Sequence, residues 1–111
     1  MNLLEKMFGS KGVSVEEANR GYKQEGNVLV DVRSTEEVAD VGIPGAVNIP
    51  LERIESEADK LKAYKTVYVS CRSGGRSSMA VKKLHDLGVT QAVNVNGGIL
   101  AWKDAGFPTT P

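Results

Sequence analysis

The chain has 111 residues, of which 41% are hydrophobic and 25% are charged, a balance typical of one folded domain and not of a disordered chain. Lysine plus arginine and aspartate plus glutamate number 14 each, so there is no net positive charge to favour nucleic acid or an anionic membrane as partner. A single cysteine excludes a disulfide within the chain, and stability must therefore come from core packing.

The N-terminus carries a short apolar cluster interrupted by Glu5 and Lys6. We expect residues 1–12 to be an extension, flexible or a short helix packed on the domain or on a partner, ahead of a single domain over residues 13–108 and a tail at 109–111. The extension lacks the basic region and apolar run of a secretory signal. No stretch reaches the roughly 20 apolar residues that span a bilayer. The sequence therefore predicts a cytoplasmic protein without membrane contact.

Short β-branched segments alternate with helical ones along the chain. Capping boxes beginning at Ser14 and Ser34 predict the starts of two helices, the first ending near Gly26. The predicted strands are a short edge strand beginning at Val13 and the segments 27–32, 46–50, 66–70 and 92–95. The remaining predicted helices cover 51–61 in one or two pieces, 77–87, and about 99–105. This alternation predicts an α/β domain with a mainly parallel sheet.

The segment VYVSCRSGGRSS, at 67–78, places the only cysteine between a predicted strand and a predicted helix. Glycines at positions 74 and 75 let the backbone curl so that successive N–H groups point inward, and the first turn of the helix adds unpaired donors. With the charges of Arg72 and Arg76, these donors predict a cradle for a small anion. Because the thiolate is the anion nearest the donors, such a cradle favours the nucleophilic form of Cys71.

A simpler interpretation treats Cys71 as a small buried hydrophobe, the two glycines as a turn and the arginines as solvated. For an isolated cysteine that interpretation would be preferred. Here a strand end, a glycine turn and flanking cations coincide, and ligands of parallel sheets collect beyond the carboxyl ends of the strands. We therefore favour a functional cysteine.

The loop CRSGGRS, at 71–77, resembles the active-site loop of single-domain rhodanese-like sulfurtransferases. Two other segments agree with that family: DVRS at 31–34 with IPGAVNIP at 43–50, and GGILAW at 97–102 with AGFP at 105–108. The resemblance covers roughly residues 13–108. It implies a rhodanese-like α/β fold with a mainly parallel five-stranded sheet flanked by helices on both faces.

In this family the cysteine attacks the outer sulfur of a donor such as thiosulfate, keeps that sulfur as a persulfide, and passes it to cyanide or a thiol. The resemblance thus implies a rhodanese-type (thiosulfate) sulfurtransferase, with a persulfide or polysulfide as alternative donor. The implied partners are a small anionic sulfur donor and a thiol or protein acceptor, and no cofactor and no metal are expected.

Carried onto this chain, the resemblance makes Cys71 the catalytic residue. The implied substrate-binding residues are Arg72, Ser73, Gly74, Gly75, Arg76 and Ser77. The peptide N–H groups of 72–76 would surround the persulfide, while the arginine side chains would attract the anionic donor. Ser77 would cap the following helix, offer its hydroxyl to the loop, or do both.

Asp31 and Arg33 are expected to support the site. An internal ion-pair network with Glu36, Glu37 or Arg76 is favoured for them over substrate contact. Trp102 and Phe107 are expected to be core residues.

The chain departs from the family at Val41-Gly42, where the family commonly has Gly-His. The only histidine, His85, lies inside a predicted helix. The sequence therefore supports no Cys–His pair, and His85 is predicted to be a surface or packing residue.

Three alternatives stay open at this point. A cysteine phosphatase or arsenate reductase is disfavoured, because phosphatase loops resemble Cys, five residues, Arg, whereas four residues separate Cys71 from Arg76. A rhodanese-fold binding module often lacks the cysteine, which this chain keeps. A protein-partnered sulfur carrier fits as well as a free-standing enzyme, since no second cysteine is present to resolve a persulfide.

Overall fold

The structure, a computed structural model, describes residues 12–111. The expected N-terminal helix falls outside the described residues. Within residues 12–111, no helix is long and apolar enough to cross a membrane.

Five α-helices, one 3₁₀ helix and four strands follow one another in the described part of the chain. The α-helices are α1 (Val15–Gly21), α2 (Thr35–Asp40), α3 (Ile54–Leu61), α4 (Gly75–Asp86) and α5 (Gly98–Asp104). The strands are β1 (Asn27–Asp31), β2 (Val47–Asn48), β3 (Thr66–Ser70) and β4 (Ala92–Asn94), and a 3₁₀ helix at Leu51–Arg53 precedes α3. The predicted order of strands and helices is confirmed from α1 onwards.

The two predicted capping boxes form to different extents. At α2 the box is complete: Ser34 Oγ accepts from the N–H of Glu37, and the Glu37 carboxylate accepts from the N–H of Ser34. At α1 only the first half is formed, with Ser14 Oγ accepting from Glu17 N at 3.1 Å. Helix α1 also ends at Gly21, before the predicted Gly26.

The sheet has four parallel strands in the order β2-β1-β3-β4, which corrects the expected five. The predicted fifth strand is reduced to an isolated parallel bridge between Val13 and Val95. Val13 donates to the carbonyl of Asn94 and accepts from the N–H of Asn96, both at 2.8 Å. The next residue, Ser14, is already the N-cap of α1, so no further residue is free to pair.

Helices cover both faces of the sheet, as expected. One apolar cluster joins the valines of β1 and β3 to α3 and α4, and a second joins Leu29 and Tyr68 to α1 and α5. The second cluster is centred on Trp102, which is fully buried, packs edge-on against Tyr22 and Phe107, and donates from Nε1 to the carbonyl of Pro108 at 2.7 Å. Trp102 is therefore a core residue, and Phe107 packs against that core.

The parallel register brings the carboxyl ends of three strands together. Asp31 of β1 lies opposite Ser70 of β3, and Val69 lies opposite Asn94 of β4. Cys71 follows Ser70 directly, so the cysteine loop lies at the edge where parallel sheets hold their ligands.

The start of α5 is bonded to the backbone of the cysteine loop. Ile99 N donates to the carbonyl of Cys71 at 2.9 Å, and Leu100 N donates to the carbonyl of Arg72 at 3.1 Å. Gly98, with φ +55°, makes this approach possible, because a Cβ there would lie 2.6 Å from the carbonyl oxygen of Arg72 and closer still to that of Cys71. The glycine pair at 97–98 thus allows α5 to hold the loop.

Gly98→Ala is expected to lower the free energy of unfolding by about 2 kcal/mol or more, since its methyl group must displace backbone carbonyls in addition to adopting a left-handed conformation. Urea denaturation of the wild type and the variant measures the loss. Gly106→Ala is the matched control: Gly106 has φ +78° with open space around it, so only the conformational cost of about 1 kcal/mol applies. Equal losses in the two variants would contradict the close-approach argument.

Candidate active site

Cys71 lies at the bottom of the loop that joins β3 to α4. The residue is only 1% exposed and contacts the apolar cluster that includes α3 and α4. This burial agrees with the simpler interpretation of Cys71 as a small buried hydrophobe. Its hydrogen bonds do not agree with that interpretation, because polar groups of the loop point at the sulfur.

Donors reach the sulfur from the loop and from the first turn of α4. Gly74 N–H donates to Cys71 Sγ at 3.1 Å, and the Ser77 hydroxyl lies 3.2 Å from the same atom. Gly74 has φ +120°, a conformation that non-glycine residues rarely adopt, so glycine is required where the loop turns its N–H towards the sulfur. One peptide N–H of the loop and one hydroxyl of α4 therefore lie at the thiol.

Helix α4 begins at Gly75, two residues before the predicted start. The N–H groups of Gly75, Arg76 and Ser77 fall in its first turn, where the helix itself supplies no carbonyl acceptor. The positive end of the helix dipole is directed to the same place. The loop thus has donors available for an anion in addition to those that already contact Cys71.

Two opposing effects act on the pKa of the Cys71 thiol. Burial raises it, whereas hydrogen bonds from the Ser77 hydroxyl and from the peptide N–H groups of Ser77, Gly74 and Ser73 lower it. The hydrogen bonds together outweigh burial, and the pKa lies below that of an ordinary thiol. The arrangement therefore favours the nucleophilic thiolate.

Ser77 is fully buried, and three polar atoms lie within hydrogen-bond distance of its hydroxyl. Its Oγ lies 3.2 Å from the carbonyl of Gly74 and forms a hydrogen bond to Asn94 Oδ1, in addition to its contact with Cys71. The predicted capping role of Ser77 is wrong, because the helix already begins at Gly75 with Gly74 as its N-cap and no side-chain cap hydrogen bond, whereas the predicted turn of the hydroxyl towards the loop is seen. Sequence reasoning missed Asn94, although its position at the carboxyl end of β4, just before the Gly97-Gly98 pair, was a usable signal.

The other loop residues differ in exposure. Arg72, Ser73 and Gly75 are exposed, and within residues 12–111 the Arg72 side chain has no ion pair or hydrogen bond. The peptide N–H of Ser73 is among the groups that lower the pKa of the Cys71 thiol. Arg72 is therefore available to an anion approaching the loop.

The Arg76 side chain is engaged by Glu37 of α2. Its two terminal nitrogens donate to the two carboxylate oxygens of Glu37, at 2.7 and 2.9 Å. The hydrogen bond from Arg76 is the largest influence on Glu37 and lowers its pKa to about 2. This bidentate pair ties the start of α4 to the start of α2.

Asp31 and Arg33 form a closed, buried pair. Arg33 Nε donates to Asp31 Oδ1 at 3.0 Å, Arg33 Nη2 donates to Oδ2 at 2.7 Å, and the two residues are 1% and 3% exposed. Arg33 Nη2 also donates to the carbonyl of Val41 at 2.8 Å, at the position where the chain departs from the family motif. Both are thus internal residues, as favoured, but they pair with each other and not with Glu36, Glu37 or Arg76.

His85 lies away from the loop. Its Nε2 is 2.8 Å from the carbonyl of Ala92, at the opening of β4, whereas Cys71 lies at the other end of the sheet. His85 is therefore a packing residue. Among residues 12–111 no group of three or more histidine, cysteine, aspartate or glutamate side chains is arranged to hold a metal ion.

Sequence comparisons find rhodanese-like and sulfur-transferring relatives of this chain. The family model for the rhodanese-like domain matches residues 14–105. A sulfurtransferase of Allochromatium vinosum is 36% identical over 81 residues, which are 73% of this chain and 76% of that protein. The putative sulfur carrier protein YrkF of Bacillus subtilis is 38% identical over 74 residues, which are 67% of this chain and 40% of that protein.

The fold has close counterparts among solved structures. The crystal structure of a rhodanese-related protein of Thermoplasma volcanium superposes with a TM-score of 0.80 at 29% identity, covering 90% of this chain and 97% of that one. Several curated relatives are longer: the chain spans between 27% and 49% of the length of three of them. The match of the family model takes in every strand and helix from α1 to α5 together with the Cys71 loop, and the chain belongs to the rhodanese-like domain family.

Proposed function

We propose that the protein is a sulfurtransferase that holds a sulfane sulfur on Cys71 as a persulfide. The observation that carries the proposal is the sulfur of Cys71, which faces the N–H of Gly74 and the hydroxyl of Ser77 at the first turn of α4. Relatives of the chain include a sulfurtransferase and a putative sulfur carrier.

The first step forms one S–S bond and breaks another. The Cys71 thiolate attacks the outer sulfur of thiosulfate, and the electron pair of the broken S–S bond leaves with sulfite. Three negative charges enter this step and three leave, as the persulfide anion and sulfite. A low thiol pKa serves the attack, because the thiolate is the reactive form.

The persulfide would then be stabilised by the loop. The N–H groups of Gly75 and Arg76, in the first turn of α4, are the donors left for an outer sulfur atom once those of Gly74 and Ser77 face Cys71. Arg72 would attract the anionic donor from solvent, and Arg76 would contribute its peptide N–H. Asp31 and Arg33 would support the edge of the sheet from within.

In the second step, a thiolate or cyanide attacks the outer sulfur and regenerates the Cys71 thiolate. Because the chain has one cysteine, it holds no second thiol to resolve the persulfide, and the acceptor must come from outside. A persulfide or polysulfide is an equally suitable donor in this scheme.

A sulfur carrier that delivers to a protein partner is the second candidate, favoured by the likeness to YrkF and by the burial of Cys71. The two roles differ in one measurement. A carrier keeps one sulfur per chain after the donor is removed and passes it faster to its partner than to cyanide, whereas an enzyme turns over repeatedly with small acceptors. Hydrolysis of a phosphate ester is disfavoured, because the side chain of Arg76 is bound to Glu37 and is not free to hold a phosphoryl group.

Incubation with thiosulfate is expected to add the mass of one sulfur, about 32 Da, to the wild-type chain, and a thiol or cyanide should remove it. Intact-mass spectrometry measures the gain. Cys71→Ala should gain nothing under the same conditions. A gain that persists in Cys71→Ala, or its absence from the wild type with every sulfane donor tried, would refute the proposal.

Ser77→Ala is expected to raise the pKa of the Cys71 thiol, because the Ser77 hydroxyl is among the groups that lower it. The pH profile of Cys71 alkylation by iodoacetamide should therefore move to higher pH, with slower alkylation at neutral pH. Ser78→Ala, one residue along the same helix and exposed, is the control and should leave the profile in place. A profile that stays put or moves to lower pH in Ser77→Ala would contradict the donor role of the hydroxyl.

A further inference from the structure

The positive charge at the cysteine loop is smaller than its arginines suggest. Arg33 is closed into its buried pair with Asp31, and Arg76 donates to both oxygens of Glu37. Among the residues at 12–111, Arg72 is the loop arginine that has no acidic partner. The loop therefore presents one uncompensated cation, not two.

Glu37 is fixed in place from two sides. Its Oε1 accepts from the N–H and the hydroxyl of Ser34, both at 3.1 Å, while Arg76 occupies both oxygens. With a pKa of about 2, the carboxylate stays ionised throughout the pH range in which a thiolate forms. The charge of Arg76 is thus compensated whenever Cys71 is reactive.

Arg76 lies in the first turn of α4, next to Ser77, whose hydroxyl is 3.2 Å from Cys71 Sγ. Its pKa is raised mainly by the hydrogen bond to Glu37, and the charge of Cys71 adds to that effect. Its peptide N–H lies in the first turn of α4, beside the loop. Changing the compensation of Arg76 should therefore change the potential that an incoming anion meets.

We propose that Glu37 sets how strongly the loop discriminates between sulfur donors by charge: by compensating Arg76, it lowers the attraction for thiosulfate, which has two negative charges, twice as much as that for a donor with one. The proposal rests on the proposed function and narrows its substrate class. A singly charged donor of this type is a thiosulfonate anion, R–SO₂–S⁻. Its outer sulfur forms the bond to the Cys71 thiolate while the S–S bond to the sulfonyl group breaks, and the electron pair leaves with the sulfinate. Two negative charges enter this step and two leave.

Methanethiosulfonate and thiosulfate are the matched donors, because they differ in one methyl group in place of one charged oxygen. The measurement is the second-order rate of sulfur loading onto Cys71, followed by intact mass, for each donor at low salt. Glu37→Gln removes one negative charge and keeps the fold, since glutamine also completes a capping box and its amide oxygen can still accept from Arg76.

The Coulomb energy is proportional to the charge of the donor, so the logarithm of the rate increase in Glu37→Gln should be twice as large for thiosulfate. An increase of about 3-fold for methanethiosulfonate would go with one of about 9-fold for thiosulfate. Added salt should reduce both increases. Intrinsic differences between the two leaving groups cancel, because each donor is compared with itself.

Glu36→Gln is the control. It removes the same charge from the neighbouring position of α2, where the exposed carboxylate contacts Thr35 Oγ1 at 3.3 Å and not Arg76. The ratio of the two loading rates should change much less than in Glu37→Gln. An unchanged ratio in Glu37→Gln, an equal slowing of both donors, or the same change in Glu36→Gln would overturn the proposal.

A second readout separates this inference from the proposed function. Alkylation of Cys71 by iodoacetate, which is negatively charged, is compared with alkylation by iodoacetamide, which is neutral. The ratio of the two rates should rise more in Glu37→Gln than in Glu36→Gln, and any change in thiol pKa cancels in that ratio. If no donor loads the wild type, the sulfurtransferase proposal and the donor preference both fail, while the alkylation ratio still decides whether Glu37 controls the charge of the loop.

Discussion

The orientation of two peptide groups decides what the cysteine loop can do. The carbonyls of Cys71 and Arg72 accept hydrogen bonds from Ile99 and Leu100 at the start of α5. These bonds fix the backbone at the start of the loop, while the N–H of Gly74 further along faces the thiol. Gly98 is small enough to let the two backbones meet. The carboxyl-terminal glycine pair therefore serves the active-site loop, although it lies more than twenty residues further along the chain.

Local patterns predicted most of the fold. The short β-branched segments marked the strands β1 and β3, and the serine-glutamate spacing at α2 marked a complete capping box. The prediction of a fifth strand was wrong, because only one residue, Val13, pairs before α1 begins. The alternation of β-branched and helical segments in the sequence does not show how short such a pairing is. Sequence patterns thus predict which residues are buried, but they predict the ends of helices and strands only to within a few residues.

Long-range partners were harder to predict than the nucleophile. Cys71 and its donors lie within seven residues, so the sequence displays them together. Arg76 finds its carboxylate 39 residues earlier in the chain, and several acidic residues near α2 were equally plausible partners before the fold was known. Asn94 reaches Ser77 only because β4 lies beside β3 in the sheet. Charge compensation at the loop is therefore a property of the tertiary structure.

The depth of Cys71 has a consequence for the oxidation chemistry of the protein. A disulfide between two chains requires their sulfur atoms to approach to about 2 Å. A sulfur that is 1% exposed at the bottom of its own loop cannot come so close to its equivalent in another folded molecule. Air oxidation should therefore leave the folded protein free of covalent dimers. Small molecules can still reach the thiol, whereas a persulfide sulfur on Cys71 would be protected from reaction with other copies of the chain.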